Sequence, residues 1–320
     1  MRGSCGAFYA LYFLKMITRY DQKDVAWVDL ENPTVDEIAS VAGEFELGSD
    51  LIEELLTPTA RPRVDVYPSF VYTVMHFPAL RFTHGLEADH EIDIIFGNTF
   101  IITIHYAVAS AIYDLAKAFE TAGLIGDKKA TPMDVGRIFL KLSERLYQAA
   151  DDELDALEDV IGVIEQNIFG GQEREMVSAI SEASRELLTH KRLLGTHRDI
   201  LEALERATTT LFGEHIARFV RTVETMHYRV HTRAMTMADI VANLRETNTA
   251  LLYTRQNEIM KNLTVLAFIT FPLSLIAGVF GMNTIYTPIV GHPQGFWIIV
   301  AGMFTLTALF FAYFKLRRWF

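Results

Sequence analysis

Ten residues near the C-terminal end fall on one helical stripe: Glu246, Ala250, Tyr253, Asn257, Met260, Leu263, Ala267, Phe271, Ser274 and Gly278. Their spacings are 4, 3, 4, 3, 3, 4, 4, 3 and 4. Side chains three or four positions apart share a helix face. The stripe mixes a carboxylate, an amide and hydroxyls with flexible or small apolar groups, and two uses suit that mixture. In a ring of helices it would line a narrow pore with polar rings and hydrophobic constrictions. Against a single neighbouring helix, its small residues would let two backbones approach closely. The spacing alone leaves both open. The stripe runs into Gly281-Met282-Asn283, where an uncharged apolar run halts, passes Pro288 and Pro293, and resumes at Phe296.

The elements that must carry this stripe are legible in the charge pattern. From Asn262 to Phe314, 53 residues, there is no Lys, Arg, Asp or Glu. Two apolar helices of about 20 residues each would cross a hydrocarbon layer of about 30 Å. Leu263–Met282 and Phe296–Phe314 have that length. A buried helical hairpin of a soluble core would expose a charged face, and this one has none. Lys261 precedes the first span, and Lys315, Arg317, Arg318 and Trp319 follow the second. Basic and aromatic residues at a membrane edge mark the cytoplasmic side. The expected location is therefore the cell (inner, plasma) membrane, with both termini cytoplasmic and the Thr284–Gly295 loop outside.

Of 29 Lys+Arg and 40 Asp+Glu in the chain, 25 and 39 lie in residues 1–255, a net charge of −14. That balance argues against a nucleic-acid partner, which needs a basic footprint, and suits a domain that attracts cations. Cys5 is the only cysteine, so neither an intrachain disulfide framework nor a cysteine metal cluster is expected. Residues 1–15 hold an apolar run too short to span a membrane and read as an extension before Met16.

Residues 16–130 read as an α/β or α+β layer. "VAWVDL" is strand-like, and Pro33-Thr34 opens a helix with acids in its first turn. A second short helix covers Ser49–Leu56. "FVYTVMHFPAL", "HEIDIIFGN" and "TFIITIHY" read as strands, with a hairpin signal at Gly97-Asn98. His76, His84, His90 and His105 raise the thought of a metal-dependent enzyme. They sit in strand or loop patterns without an HExxH or nucleophile motif, so no enzyme is expected. Residues 131–207 read as an acidic helical hairpin broken at Gly170-Gly171, with "DDELDALED" near its tip as a solvated face or a loose cation site. A stalk helix, 208–262, is expected to run on into the first span, on the order of 110 Å in all at 1.5 Å per residue. Its residues Phe212, Ile216, Phe219, Val223, Met226 and Val230 form a heptad seam, continued by Met237, Ile240, Leu244 and Leu251. The seam is expected to pack on other copies of the chain. Residues 263–320 form the transmembrane hairpin, its loop and a basic tail.

"NEIMKNLTVLAFITFPLSLIAGVFGMN" resembles the first transmembrane segment of the CorA family of divalent-cation channels, whose signature is Gly-Met-Asn at the outer end of that segment. "WVDLENPTVDEI", "RPRVDVYPSFVYTVMHFPA" and "EIDIIFGNTFIITIH" are similar to the family's cytoplasmic domain, and the basic-aromatic tail to its C-terminus. The resemblance implies an α+β cytoplasmic domain, a long helical stalk and two C-terminal transmembrane helices, assembled as a homopentameric funnel that admits Mg2+. Carried over by position, Asn283 forms the entrance ring and meets the hydrated ion, with Gly281 and Met282 shaping it. Asn257 and Ser274 match polar pore rings, Met260 and Leu263 the hydrophobic gate, and Glu246 a carboxylate lower in the pore. Phe271 and Gly278 share the lining. A regulatory Mg2+ in the funnel would need a carboxylate where this chain has Thr222; the nearest acid is Glu224. The loop "TIYTPIVGHPQG" lacks the acids that many members carry, which implies weaker capture of cations at the mouth. The same fold also implies an alternative cargo of cobalt, nickel or zinc, although the zinc group usually varies the triplet that Met282 keeps intact.

Overall fold

The computed structural model describes residues 17–22, 25–59, 61–78, 89–106, 110–125, 134–282 and 293–317. By its contacts the chain forms two compact units. The first is Met1–Gly170 with Met176–Leu244, and the second is Gly171–Glu175 with Arg245–Phe320.

Unit 1 is built on a six-stranded sheet. Its strands are β1 (Ile17–Gln22), β2 (Val25–Glu31), β3 (Arg63–Val66), β4 (Val71–Pro78), β5 (Asp89–Phe96) and β6 (Phe100–His105), in the spatial order β1-β2-β6-β5-β4-β3. Only the β2–β6 pairing is parallel. The Gly97-Asn98 signal corresponds to the β5–β6 hairpin, closed by Gly97 N–H donating to the Phe100 carbonyl at 2.8 Å. Every residue of β4 is buried, because helices cover both faces of the sheet. A strand covered on both faces loses its polar alternation, which explains the near-continuous apolar text of residues 70–80. The two edge strands, β1 and β3, are not anticipated from the sequence: β1 mixes charges with apolar residues, and β3 has only four residues.

On one face lie α1 (Val35–Glu44) and α2 (Ser49–Glu54). Thr34 and Glu37 form a capping box at the start of α1, satisfying amides that a first helical turn leaves without partners. Ile38, Val41, Leu51 and Leu55 pack with Val28, Leu30, Ile95 and Ile102 of the sheet. Beneath α2 is a buried polar patch. The Tyr72 and Tyr106 hydroxyls donate to Asp93 Oδ2 at 3.1 and 3.3 Å. Burial and the neighbouring Glu91 carboxylate push the Asp93 carboxyl up to about 8. Glu91 itself accepts two bonds from the Thr59 N–H, at 2.9 and 2.7 Å.

On the other face are α3 (Ser110–Ile125), α4 (Val135–Phe169) and α5 (Met176–Phe212). Phe119 of α3 meets Trp27, Phe139 of α4 meets Phe96, and His197 of α5 meets Phe77. His197 Nε2 donates to the His76 carbonyl at 2.9 Å, which leaves Nδ1 to accept from the Tyr147 hydroxyl at 2.8 Å. Complete burial pushes the His197 imidazole down to about 3.

The long helix is α6 (Glu214–Phe280), 67 residues with Pro272 inside. Its start differs from the expected Thr208. Helix α5 runs on to Phe212, and Gly213, at φ +80°, separates the two helices. A positive φ is open to glycine without a Cβ clash. The expectation that the heptad seam packs on other copies is corrected for most of its length; Ile240 is exposed. Ile216, Phe219, Val223, Val230, Met237 and Leu244 are buried within the chain itself. The Phe219 ring lies against Gly136 of α4, and His227 Nε2 donates to the Leu194 carbonyl of α5. Two long antiparallel helices already supply the apolar partner that a period-3.5 seam requires.

Unit 2 contains α6 from Arg245 onward and α7 (Gly295–Leu316). Phe268 of α6 and Phe314 of α7 meet edge to face, 6.2 Å between ring centroids. In the most apolar window of each helix, only 6% of residues are buried. A core helix of a soluble protein would be mostly buried, so these two helices match the expected spans.

Candidate functional site

The stripe lies on α6 of unit 2. Of its ten residues, Glu246, Ala250, Tyr253, Asn257, Met260, Leu263, Phe271, Ser274 and Gly278 are exposed, and Ala267 is partly covered. Phe271 is 73% exposed, a large cost for an aromatic ring in water. Within one chain the stripe therefore has no partner helix of its own. Pro272 sits inside the same span and has no N–H for the Phe268 carbonyl. Nearby, Thr270 turns its hydroxyl back to the Leu266 carbonyl at 2.9 Å. Such back-bonding hides a hydroxyl in an apolar setting.

Helix α6 ends where the sequence predicts. Gly281 N–H donates to the Ala277 carbonyl at 2.9 Å, and Met282 N–H reaches the Val279 carbonyl at 3.4 Å. A Cβ at Gly281 would stand 2.8 Å from the Ala277 oxygen, so this last turn closes only around a glycine. Met282 is exposed. Asn283, the proposed entrance residue, lies outside the described residues, as does most of the following loop.

The acidic run of α4 is not at the hairpin tip. Asp151, Asp155 and Glu158 lie mid-helix and gather around Arg233 of α6, with Asp151 Oδ1 at 2.9 Å. Arg233, which interrupts the apolar seam in the sequence, is thus the counter-charge of these acids. That pairing engages three of the six carboxylates of the run. Among the described residues, no group of three or more His, Cys, Asp or Glu is placed to hold a metal ion. His76, His90 and His105 are on strands β4, β5 and β6, whereas His84 lies outside the described residues. Thr222, on α6, turns its hydroxyl to the Arg218 carbonyl at 3.0 Å, and Glu224 is half-buried on the same helix.

Residues 22–317 match the family described as CorA-like Mg2+ transporter protein. The chain belongs to the CorA family. The cobalt/magnesium transport protein CorA of Thermotoga maritima is 23% identical over 302 residues, spanning 93% of this chain and 84% of that protein. Among solved structures, the complete CorA magnesium transporter of Methanocaldococcus jannaschii superposes with a TM-score of 0.79 at 21% identity, covering 92% of each chain. The full-length CmaX protein gives 0.69 at 18% identity, over 92% of this chain and 89% of that one. At these identities the structures establish a shared fold: an α/β soluble domain, a long helix and two C-terminal apolar helices. Membership places the chain among membrane transporters of divalent cations, and the two apolar helices are its candidate spans.

Proposed function

We propose that this chain conducts Mg2+ into the cell as a homopentameric channel, with α6 lining the axis and α7 forming an outer ring in the bilayer. The observation that carries this reading is the exposed stripe on α6 between Glu246 and Gly278. Lipid explains an exposed phenylalanine. It does not explain Ser274 on the same stripe, since polar groups facing hydrocarbon are costly and face protein or water instead; Asn257 and Glu246 continue the stripe on the cytoplasmic side of Lys261. A ring of copies gives the stripe both a partner and a wet side.

In this reading Asn283 caps the pore at the outer surface. Magnesium dehydrates reluctantly. Five amide oxygens accept hydrogen bonds from its water shell without replacing it, and release it again. A carboxylate ring would hold the ion more tightly. Gly281 gives the last turn its tight closure, and Met282 wedges against neighbouring copies. Ser274 and Asn257 form polar rings below, while Phe271 and Gly278 line the wall between. Met260 and Leu263 form an apolar constriction that resists wetting, and Glu246 gathers cations beneath it. Both termini lie in the cytoplasm, where Lys261, Lys315 and Arg317 mark the inner edge of the membrane. A regulatory Mg2+ at Glu224 belongs to the same proposal. It predicts protease protection by Mg2+ that Glu224→Gln removes.

Cobalt is a second cargo that the same neutral ring would admit in hydrated form. The deciding experiment is Mg2+ flux into liposomes, with Co2+, Ni2+ and Zn2+ as competitors. Asn283→Ala should abolish or severely reduce flux while native mass still shows five copies. Wild-type flux from the assembled variant would sink the entrance assignment, and a monomer or dimer under mild conditions would sink the central pore. Leu263→Asn should raise basal flux through a wetter constriction.

A further inference from the structure

The turn between α4 and α5 belongs to unit 2, although the helices it joins belong to unit 1. It grips α6 through three side chains. Asn248 Nδ2 donates to the Glu173 carbonyl at 3.0 Å. Arg255 Nη1 donates to the Gly171 carbonyl at 3.0 Å and pairs with Glu173 Oε2, also at 3.0 Å. Glu173 is 4% exposed, so its carboxylate is withdrawn from water and Arg255 is its counter-charge. Gly171 has φ +93°, and a Cβ there would stand 2.7 Å from Arg255 Nη2. The turn is therefore shaped to the guanidinium: any side chain at 171 would meet it.

The position of this grip matters. At about 100° per residue, Asn248 and Arg255, seven apart, share one face of α6. By the same rotation Asn257 and Met260 are turned away from it, by about 160° and 140°. The turn thus holds the back of the helix whose front carries the stripe. A cleft of about 610 Å³ beside the grip is lined by Leu252, Gln256, Ile259 and Met260, together with turn residues. Met260, assigned above to the constriction, therefore also borders the turn.

We infer that Arg255, Glu173 and Asn248 form a latch that positions α6 at the level of its gate, and that the α4–α5 hairpin acts on the constriction through it. The inference rests on the pore reading and adds the residues that transmit movement to the gate. The hairpin is joined covalently to the turn, and the turn is pinned to α6 five residues before Met260. Among the described residues Arg255 is the one guanidinium paired with Glu173, and a buried carboxylate that loses its partner is strongly destabilised. Lysine is no equivalent, because one guanidinium presents several donors in a fixed fork and here serves two acceptors. An apolar ring stays dry only while its helices are held close. Loosening the latch should therefore favour the wetted, conducting state.

The test uses the full-length protein, with hydrogen exchange of residues 171–175 and 248–258 measured beside basal Mg2+ flux in liposomes. Arg255→Gln and Glu173→Gln should each speed exchange in those segments about tenfold while the buried segments of α4 and α5 keep theirs. Basal flux should rise at least about threefold in both variants. The double variant should go no further than either single, as expected for two residues of one interaction. Unchanged exchange in Arg255→Gln would overturn the latch. Faster exchange with unchanged flux, in a protein whose wild type conducts, would overturn its link to the gate. A wild type that does not conduct would overturn the pore reading instead, with the exchange arm still reporting on the latch.

Discussion

The two units put opposite groups in opposite places. Unit 1 buries polar and titratable side chains: Asp93 beneath two tyrosine hydroxyls, His197 between a carbonyl and Tyr147. Unit 2 leaves large apolar side chains outside, among them Leu266, Phe271, Leu275 and Phe304. Helix α6 belongs to both and changes habit near Leu244. Before that point most of its apolar seam is buried, Ile240 being the exposed exception; beyond it most of its apolar side chains are exposed. One helix thus joins a packed core to a stretch whose apolar side chains are largely uncovered. Burial in unit 1 is a folding device, whereas the exposed apolar residues of unit 2 lie on its two candidate spans, for which the proposed function supplies lipid and further copies of the chain.

The sharpest way to test the contrast is to remove one ring from each unit. Phe139→Ala, at a fully buried position against Phe96, should cost about 3–5 kcal/mol in denaturant unfolding of the soluble domain. Phe304→Ala, at a position 74% exposed, should leave that transition within about 0.5 kcal/mol of wild type. Equal losses would mean that unit 2 is packed as a soluble core.

A charge makes the next comparison. Leu188 on α5 is 55% exposed and Phe304 on α7 is 74% exposed. If exposure meant water in both places, lysine would be tolerated equally. Phe304→Lys should instead disfavour membrane insertion by about 2.5–3.5 kcal/mol, read as loss of protein from the membrane fraction. Leu188→Lys should change stability by less than about 0.5 kcal/mol.

The buried polar groups of unit 1 predict a smaller, pH-dependent effect. The Asp93 carboxyl is pushed up from its ordinary value of 3.8 to about 8. Its folded state therefore keeps a proton that the unfolded chain releases. That contribution is fully present below the ordinary carboxyl value and is lost as pH rises toward 8. Asp93→Asn, which needs no proton, should flatten the decline in thermal midpoint between pH 5 and 9 by a few degrees. The His197 imidazole, pushed down to about 3, acts at the acid side. Its folded state excludes a proton that the unfolded chain binds, so stability is present above about 6.5 and falls as pH drops toward 3. An unchanged alkaline limb in Asp93→Asn would remove Asp93 from this account.

The smallest effect concerns a surface device of unit 1. Thr34→Ala breaks the capping box with Glu37 and should cost about 1 kcal/mol, measured as a shift in denaturant midpoint. Flux, which the proposal assigns to unit 2, should not change.

Much of this architecture is written locally. The first helix announces itself by Thr34 and Glu37, the central strands by aromatic and β-branched runs, and the spans by 53 uncharged residues. Such features need only neighbours within a turn or a strand, so sequence spacing exposes them. The stripe from Glu246 to Gly278 is legible for the same reason, since a helix converts spacing directly into a shared face. The triplet Gly281-Met282-Asn283 was legible as a helix end, and its glycine closes that last turn.

Other features depend on what lies far away in the chain and take shape when folding brings their partners together. The seam of α6 reads as a contact surface, but nothing in its own spacing says whether α4 and α5 or another copy will cover it. Arg233 reads as an interruption until Asp151, 82 residues away, is found beside it. Glu173 and Arg255 look like ordinary surface charges, and folding brings a turn against a helix to bury one and pair it with the other. The short edge strands β1 and β3 became strands because β2 and β4 offered them open edges. Spacing and charge along the chain settle which faces exist and which segments need an apolar environment, because periodicity and charge act over a few residues. Which face meets which, and which charge finds its partner, was settled by long-range packing, whose cost and gain no local pattern records.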